Sequence, residues 1–223
     1  MYQVILIVAL GYFVDIFDLT LFSMLRSPSL ASLGYDNAQQ IEAGIFLLNT
    51  QMAGMLLGGF FWGMLGDKKG RLKMLFASIL CYSIANLLNA FSQSLTDYAI
   101  LRFFSGFGLA GELGVGITLI SEILPTGSRG IGTTIVTAVG VLGAVFSGLF
   151  IEFTTWRVAY FVGGLLGLIL VALRFKLRDS PLFIAGTKSK NIHWGSLTLL
   201  FGSRRLLKKF ILSALIGLPG FCF

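Results

Sequence analysis

Six apolar runs, each close to the length of a bilayer crossing, govern what this chain can fold into. At 1.5 Å of rise per residue, a helix needs about 20 mostly apolar residues to cross a hydrocarbon core. Such runs lie near Tyr2–Leu25, Ala43–Leu65, Leu72–Phe91, Tyr98–Leu124, Ile131–Phe153 and Val158–Leu173. A last run, Phe210–Phe223, holds only 14 residues, so the chain stops inside what reads as a seventh helix. The expected fold class is an all-α integral membrane protein. It comprises a six-transmembrane-helix bundle over 1–173, a cytoplasmic basic linker over 174–209 and a truncated seventh helix over 210–223.

Composition closes off the alternatives. Charged residues supply 12% of the chain, against about 25% in a soluble domain. Two cysteines, Cys81 and Cys222, support neither a disulfide framework nor a zinc or redox motif. No metal or cofactor is expected. The formal charge of +7 does not point to nucleic acid, because the basic residues punctuate apolar runs rather than form one basic face. The first run is too long for a secretory signal and lacks a basic leader.

Lysine and arginine placement orients the bundle. Of 17 basic residues, fourteen fall on one side: Lys68, Lys69, Arg71, Lys73, Arg129 and nine from Arg174 to Lys209. Only Arg26 and Arg157 fall on the other, and Arg102 lies within a run. The rich side is cytoplasmic by the positive-inside rule, which puts the amino terminus in the cytoplasm too. The linker carries Pro181, the sole histidine His193, Trp194 and the basic pairs Arg204–Arg205 and Lys208–Lys209. An interfacial helix on anionic lipid and a solvated orienting loop both fit that composition.

Small residues recur at packing intervals: Gly54, Gly58, Gly59 and Gly63 in the second run, Gly106, Ala110 and Gly114 in the fourth, Gly140, Ala144 and Gly148 in the fifth. Such stripes let helix backbones approach closely in lipid. Gly106-Phe-Gly108-Leu-Ala-Gly111 matches a dinucleotide fingerprint only in letters, since no strand precedes it. An intramembrane protease also fails, because no base accompanies Ser147.

Charges inside apolar runs are costly, at about 2.5–3.5 kcal/mol for Asp, Lys or Arg near a helix centre. Asp15, Asp18, Arg102 and Glu112 carry that cost, while Glu122 stands at the cytoplasmic edge. Run one heads outward and run four inward. Asp18 then lies about 10 Å, and Arg102 about 6 Å, below the same external surface. A guanidinium spans that difference, so the two are expected to pair. Asp15 is one turn deeper on nearly the same face, and Glu112 about 20 Å in, toward the cytoplasm. A proton path and a static ionic clamp are both compatible with this set. Asn49, Gln51, Asn86 and Thr137 are candidates for lining a substrate path or for bonding between helices.

Several motifs resemble one family. Gly63-Met-Leu-Gly-Asp67-Lys68-Lys-Gly70-Arg71 is similar to the signature loop of the major facilitator superfamily, with Leu72 and then Lys73 where its next basic residue is expected. Arg102-Phe-Phe-Ser-Gly106-Phe-Gly108 resembles its R-x-x-x-G-x-G motif, Glu122-Ile-Leu-Pro125-Thr-Gly-Ser-Arg129-Gly130 its E-x-x-P-x-x-x-R-G element, and Asp179-Ser180-Pro181 its E-S-P element. Phe17-Asp18 stands where proton-coupled sugar porters carry Tyr-Asp.

The resemblance implies a secondary transporter taking up a small sugar-like or organic metabolite with a proton. Asp18 would be the proton site and Arg102 its partner, with Asp15 as competing candidate and Glu112 beside it. Gly63, Asp67, Lys68, Gly70, Arg71, Glu122 and Arg129 would form a cytoplasmic gate. Ala144 after Gly143, where drug antiporters carry proline, points to symport. The six spans would form inverted repeats over 1–95 and 98–173, half of the family's usual twelve helices. A carboxy-terminal half would be encoded separately, or the chain would be a remnant. The expected partners are substrate, proton, lipid bilayer and that second half, in an inner membrane. The rival reading is a non-transporting fragment or an interaction subunit.

Overall fold

In a computed structural model, residues 2–125, 127–174 and 202–217 are described, and their regular structure is helical throughout. The helices are α1 (Tyr2–Ser32), α2 (Asn37–Lys69), α3 (Arg71–Asn89), α4 (Leu95–Ile123), α5 (Arg129–Glu152), α6 (Trp156–Arg174) and α7 (Arg204–Gly217). Among the described residues, α1, α2, α3, α5 and α6 are apolar enough and long enough to cross a membrane. The sixth long helix, α4, has 29 residues, and its apolar course is interrupted by Arg102 and Glu112.

Several helices outrun their apolar runs because their ends are capped. Asp36 accepts from the Gln39 backbone N–H at 2.8 Å while the Gln39 side chain accepts from the Asp36 N–H at 3.3 Å. This capping box satisfies donors that a helix start leaves open, so α2 begins well before Ala43. At its other end α2 joins α3 through Gly70 alone, at φ +104°. That backbone region is cheap only for glycine.

Two sequence boundaries need correction. Arg174 belongs to α6 rather than to the linker, and its side chain is buried. The pairs Arg204–Arg205 and Lys208–Lys209 belong to α7, which begins at Arg204 rather than at Phe210, so the helical one of the two readings open for them holds there. In α7 these cations stand at helical spacings on one side of Leu206, Leu207 and Phe210, a pattern that windows of pure hydropathy miss.

Packing relates α1–α3 to α4–α6. The extensive pairing of α2 with α4 is answered by α5 with α1, that of α3 with α4 by α6 with α1, and α3 also packs on α6. Glycine permits the closest approaches. A Cβ at Gly54 or Gly58 would run into the α4 backbone at Phe103 or Phe107. Gly106 meets α2 at Gln51, Gly108 meets α3 at Ser78 and Tyr82, and Gly111 meets Ser78 and Trp62. The glycines of the false nucleotide motif are therefore two-sided packing points. Gly59 and Gly63 face open space instead, so the stripe expected in α2 is confined to Gly54 and Gly58.

Candidate functional site

The charged side chains buried in the bundle are Asp15, Asp18, Arg102, Glu112 and Arg174 among the described residues. They form two clusters.

In the outer cluster, Asp18 on α1 and Arg102 on α4 meet, with Arg102 Nη1 at 3.8 Å from Asp18 Oδ2. This is a loose ion pair, because the guanidinium directs its hydrogen bonds elsewhere. Arg102 Nη2 donates to Asn86 Oδ1 on α3. With its amide oxygen turned inward, Asn89 accepts from Arg102 Nε at 2.8 Å and Nη2 at 3.1 Å. Asn86 Nδ2 donates to Asp18 Oδ1 at 2.7 Å, so one amide bridges cation and anion. Ser105 Oγ lies 3.1 Å from Asn86 Oδ1 and 3.5 Å from Asp18 Oδ2.

Rings close the outer cluster off. The Arg102 guanidinium lies 5.0 Å from the Phe22 ring centroid and 4.7 Å from that of Tyr160, within cation–π range. Tyr160 and Tyr98 join hydroxyls at 2.7 Å, and Tyr98 reaches Ser29 Oγ at 3.1 Å. A charge pair so enclosed is screened little by salt. It is also not a bidentate fork, the geometry that binds guanidinium and carboxylate most firmly. Asp18 can thus exchange its cation without two strong parallel bonds breaking.

The inner cluster lies one turn away along α1. Arg174 Nη2 pairs with Glu112 Oε1 and also donates to the Ile7 carbonyl at 3.3 Å. Both side chains cross the bare backbone of Gly11, where a Cβ would occupy their space. Asp15 faces Glu112 and Arg174 from α1, and Tyr82 faces the group from α3.

The four expected coupling residues thus lie in the interior, and Asp18 meets Arg102 as the depth reasoning required. Of the candidate lining residues, Asn86 is buried with its amide engaged by the ion pair, a role different from lining an open path. Gln51 is buried against Gly106. Asn49 is exposed, as is Thr137, whose hydroxyl donates to the Thr133 carbonyl at 3.0 Å. Arg174, Ser105 and Tyr82 are not singled out by the sequence. The signal available for Arg174 was an unbalanced Glu112 with a cation ending the sixth run.

At the expected gate, Gly63 and Lys68 are exposed, Asp67 is half-buried in the last turn of α2, and Gly70 makes the bend. Arg129 Nε donates to the Leu124 carbonyl at 3.1 Å, tying the start of α5 to the end of α4. The Arg71 and Glu122 side chains, Asp179-Ser180-Pro181, His193 and Trp194 lie outside the described residues.

The chain matches the family model described as Major Facilitator Superfamily over residues 8–223. It is 30% identical over 211 residues to a protein of Bacillus subtilis (strain 168) provisionally named a niacin/nicotinamide transporter, covering 93% of this chain and 52% of the relative. It is also 30% identical to the cis,cis-muconate transport protein of Acinetobacter baylyi (strain ATCC 33305 / BD413 / ADP1), over 86% of this chain and 49% of that protein. The inward-open xylose transporter XylE from E. coli superposes with a TM-score of 0.71 at 16% identity, over 98% of this chain and 56% of that one. The chain spans about half the length of the curated relatives it matches.

Proposed function

The chain belongs to the major facilitator superfamily, and from that premise we propose that it is the amino-terminal half of a proton-coupled uptake transporter for a small organic metabolite. It is a multi-pass membrane transporter-family protein rather than an enzyme. Its place in the inner membrane with a cytoplasmic amino terminus is part of the proposal, resting on the basic residues of the Lys68 loop and α7. The relatives named for niacin and cis,cis-muconate favour small organic acids over sugars.

The observation that carries the proposal is the enclosed pair Asp18–Arg102, bridged by Asn86. With Arg102 beside it, the Asp18 carboxylate is compensated without a proton. When helix movement draws Arg102 away, a proton is the smallest group that restores neutrality in a dry interior. The return of Arg102 expels it. Alternation between those two arrangements would couple proton entry to the opening and closing of the path. Asp67 and the cations around Gly70 would latch helix ends on the cytoplasmic side. Asn49, Gln51 and Thr137 remain candidates for the substrate path against the other half.

The test is uptake by the transporter completed with a carboxy-terminal half, reconstituted in proteoliposomes. An inward proton gradient should drive accumulation of niacin or cis,cis-muconate, and a protonophore should collapse it. Accumulation indifferent to both would refute proton coupling. The half-length match supports a second reading, a membrane subunit that acts only with a partner half. Transport by this chain alone would remove that reading.

A further inference from the structure

The buried charges do not balance. Three carboxylates, Asp15, Asp18 and Glu112, stand against two guanidiniums, Arg102 and Arg174, among the described residues. Arg102 is engaged with Asp18, Asn86 and Asn89, and Arg174 is engaged with Glu112. Asp15 exposes none of its surface, and neither of its oxygens receives a hydrogen bond from an N–H or hydroxyl donor. Glu112 Oε2 also lacks a donor, and Asp15 stands one helical turn along α1 from Gly11, over which the Glu112 carboxylate lies, so the two acids interact electrostatically. An uncompensated carboxylate in a low-dielectric interior is too costly to persist.

No element packed around Asp15 supplies a further cation among the described residues. On α1 the titratable neighbours are Tyr12 and Asp18; α3 brings Tyr82, α4 brings Glu112 and α6 brings Arg174. The titratable residues of α5 are Arg129 and Glu152, at its two ends. Tyr82 Oη has no partner either, and among the described residues six of the nine unpartnered buried side-chain atoms belong to Asp15, Tyr82, Glu112 and Arg174.

We propose that Asp15 and Glu112 form a second proton site, in which one proton is held between an Asp15 oxygen and Glu112 Oε2 while Arg174 neutralises the charge that remains. The shared proton gives two acceptor-only groups a donor, and leaves one net negative charge for one guanidinium. Gly11 is the floor of the site, because only a residue without a side chain lets Glu112 and Arg174 cross α1 there. The site is separate from Asp18: it is loaded in the state where Asp18 is ion-paired. It rests on the transport reading for its purpose, but its test requires no transport.

The experiment is infrared spectroscopy of the full chain in lipid bilayers at neutral pH, reading the carbonyl stretch of protonated carboxyl groups and its shift in deuterium oxide. The wild type should show such a band, and Asp18→Asn should retain it. Asp15→Asn should lose it, because Glu112 then has Arg174 to itself, and Glu112→Gln should lose it for the mirror reason. The two variants are independent, so misfolding of one leaves the other decisive. A wild-type spectrum without the band would overturn the proposal, as would its survival in Asp15→Asn or its loss in Asp18→Asn. Sodium-dependent thermal stabilisation with no band would assign the excess charge to a metal cation instead and equally overturn it. A wild-type band in a protein whose completed transporter ignores proton gradients would leave this site standing and sink only the coupling.

Discussion

Gly11→Ala is a one-carbon change with an unusually large consequence expected. A Cβ there would take the positions of Arg174 Nη2 and Glu112 Oε1. Both are ends of flexible side chains, so the clash is relieved by swinging them away, and the cost lies in opening their ion pair. Breaking a buried pair costs about 3–5 kcal/mol. Replacing glycine by alanine within a helix returns about 0.5–1 kcal/mol. The net destabilisation is about 2–4.5 kcal/mol, equivalent to a fall of several degrees or more in Tm for a chain of this size. Gly59→Ala is the control, because nothing lies within 4 Å of a Cβ built there. Unfolding in detergent, followed by the fluorescence of Trp62 and Trp156, separates the two. In a Glu112→Gln background the Gly11→Ala penalty should shrink, since the pair is already lost. Equal stability of Gly11→Ala and Gly59→Ala would refute the placement of Arg174 and Glu112 over α1.

Three further outcomes are expected. Gly70→Ala forces an alanine to φ +104° and should cost about 1–3 kcal/mol, read in the same unfolding assay; an unchanged Tm would mean that the α2–α3 bend tolerates side chains. Asn37 and Lys69 end a 33-residue helix, about 50 Å long at 1.5 Å per residue. Asn37→Cys should therefore react with an impermeant external thiol reagent and Lys69→Cys should not, while the reverse pattern would invert the topology. Asp67→Asn should leave membrane insertion intact and lower transport in the completed transporter, and undiminished transport would remove Asp67 from the gate.

Asp18 and Arg102 were legible in the sequence because both are costly in lipid and their depths along antiparallel helices coincide. The bridging role of Asn86 was not, because an asparagine in a span bonds to whatever the tertiary fold brings to it. Arg174 reads in the sequence as the start of the linker, since an arginine that ends an apolar run ordinarily turns outward to the interface. Its inward course depends on the bare surface of Gly11, which only the packing of α1 against α4 and α6 reveals. The all-helical class was legible in the apolar runs, whereas the extent of α2 depends on the Asp36–Gln39 capping box, which hydropathy does not register. Gly54 and Gly59 look alike in sequence, yet only Gly54 meets a neighbouring backbone. Which glycine faces a partner is set by helix rotation.

Proton coupling through Asp18 is tested most directly by Asp18→Asn in the completed transporter, reconstituted with an imposed pH gradient. An amide mimics the neutral carboxyl and cannot release a proton. Accumulation driven by the gradient should be abolished, while exchange of internal for external substrate should continue. Asp15→Asn, measured in parallel, should leave some gradient-driven accumulation. Retained accumulation in Asp18→Asn would contradict the account: its loss in Asp15→Asn would move the coupling to the inner cluster, and retention in both would reduce Asp18–Arg102 to a structural clamp.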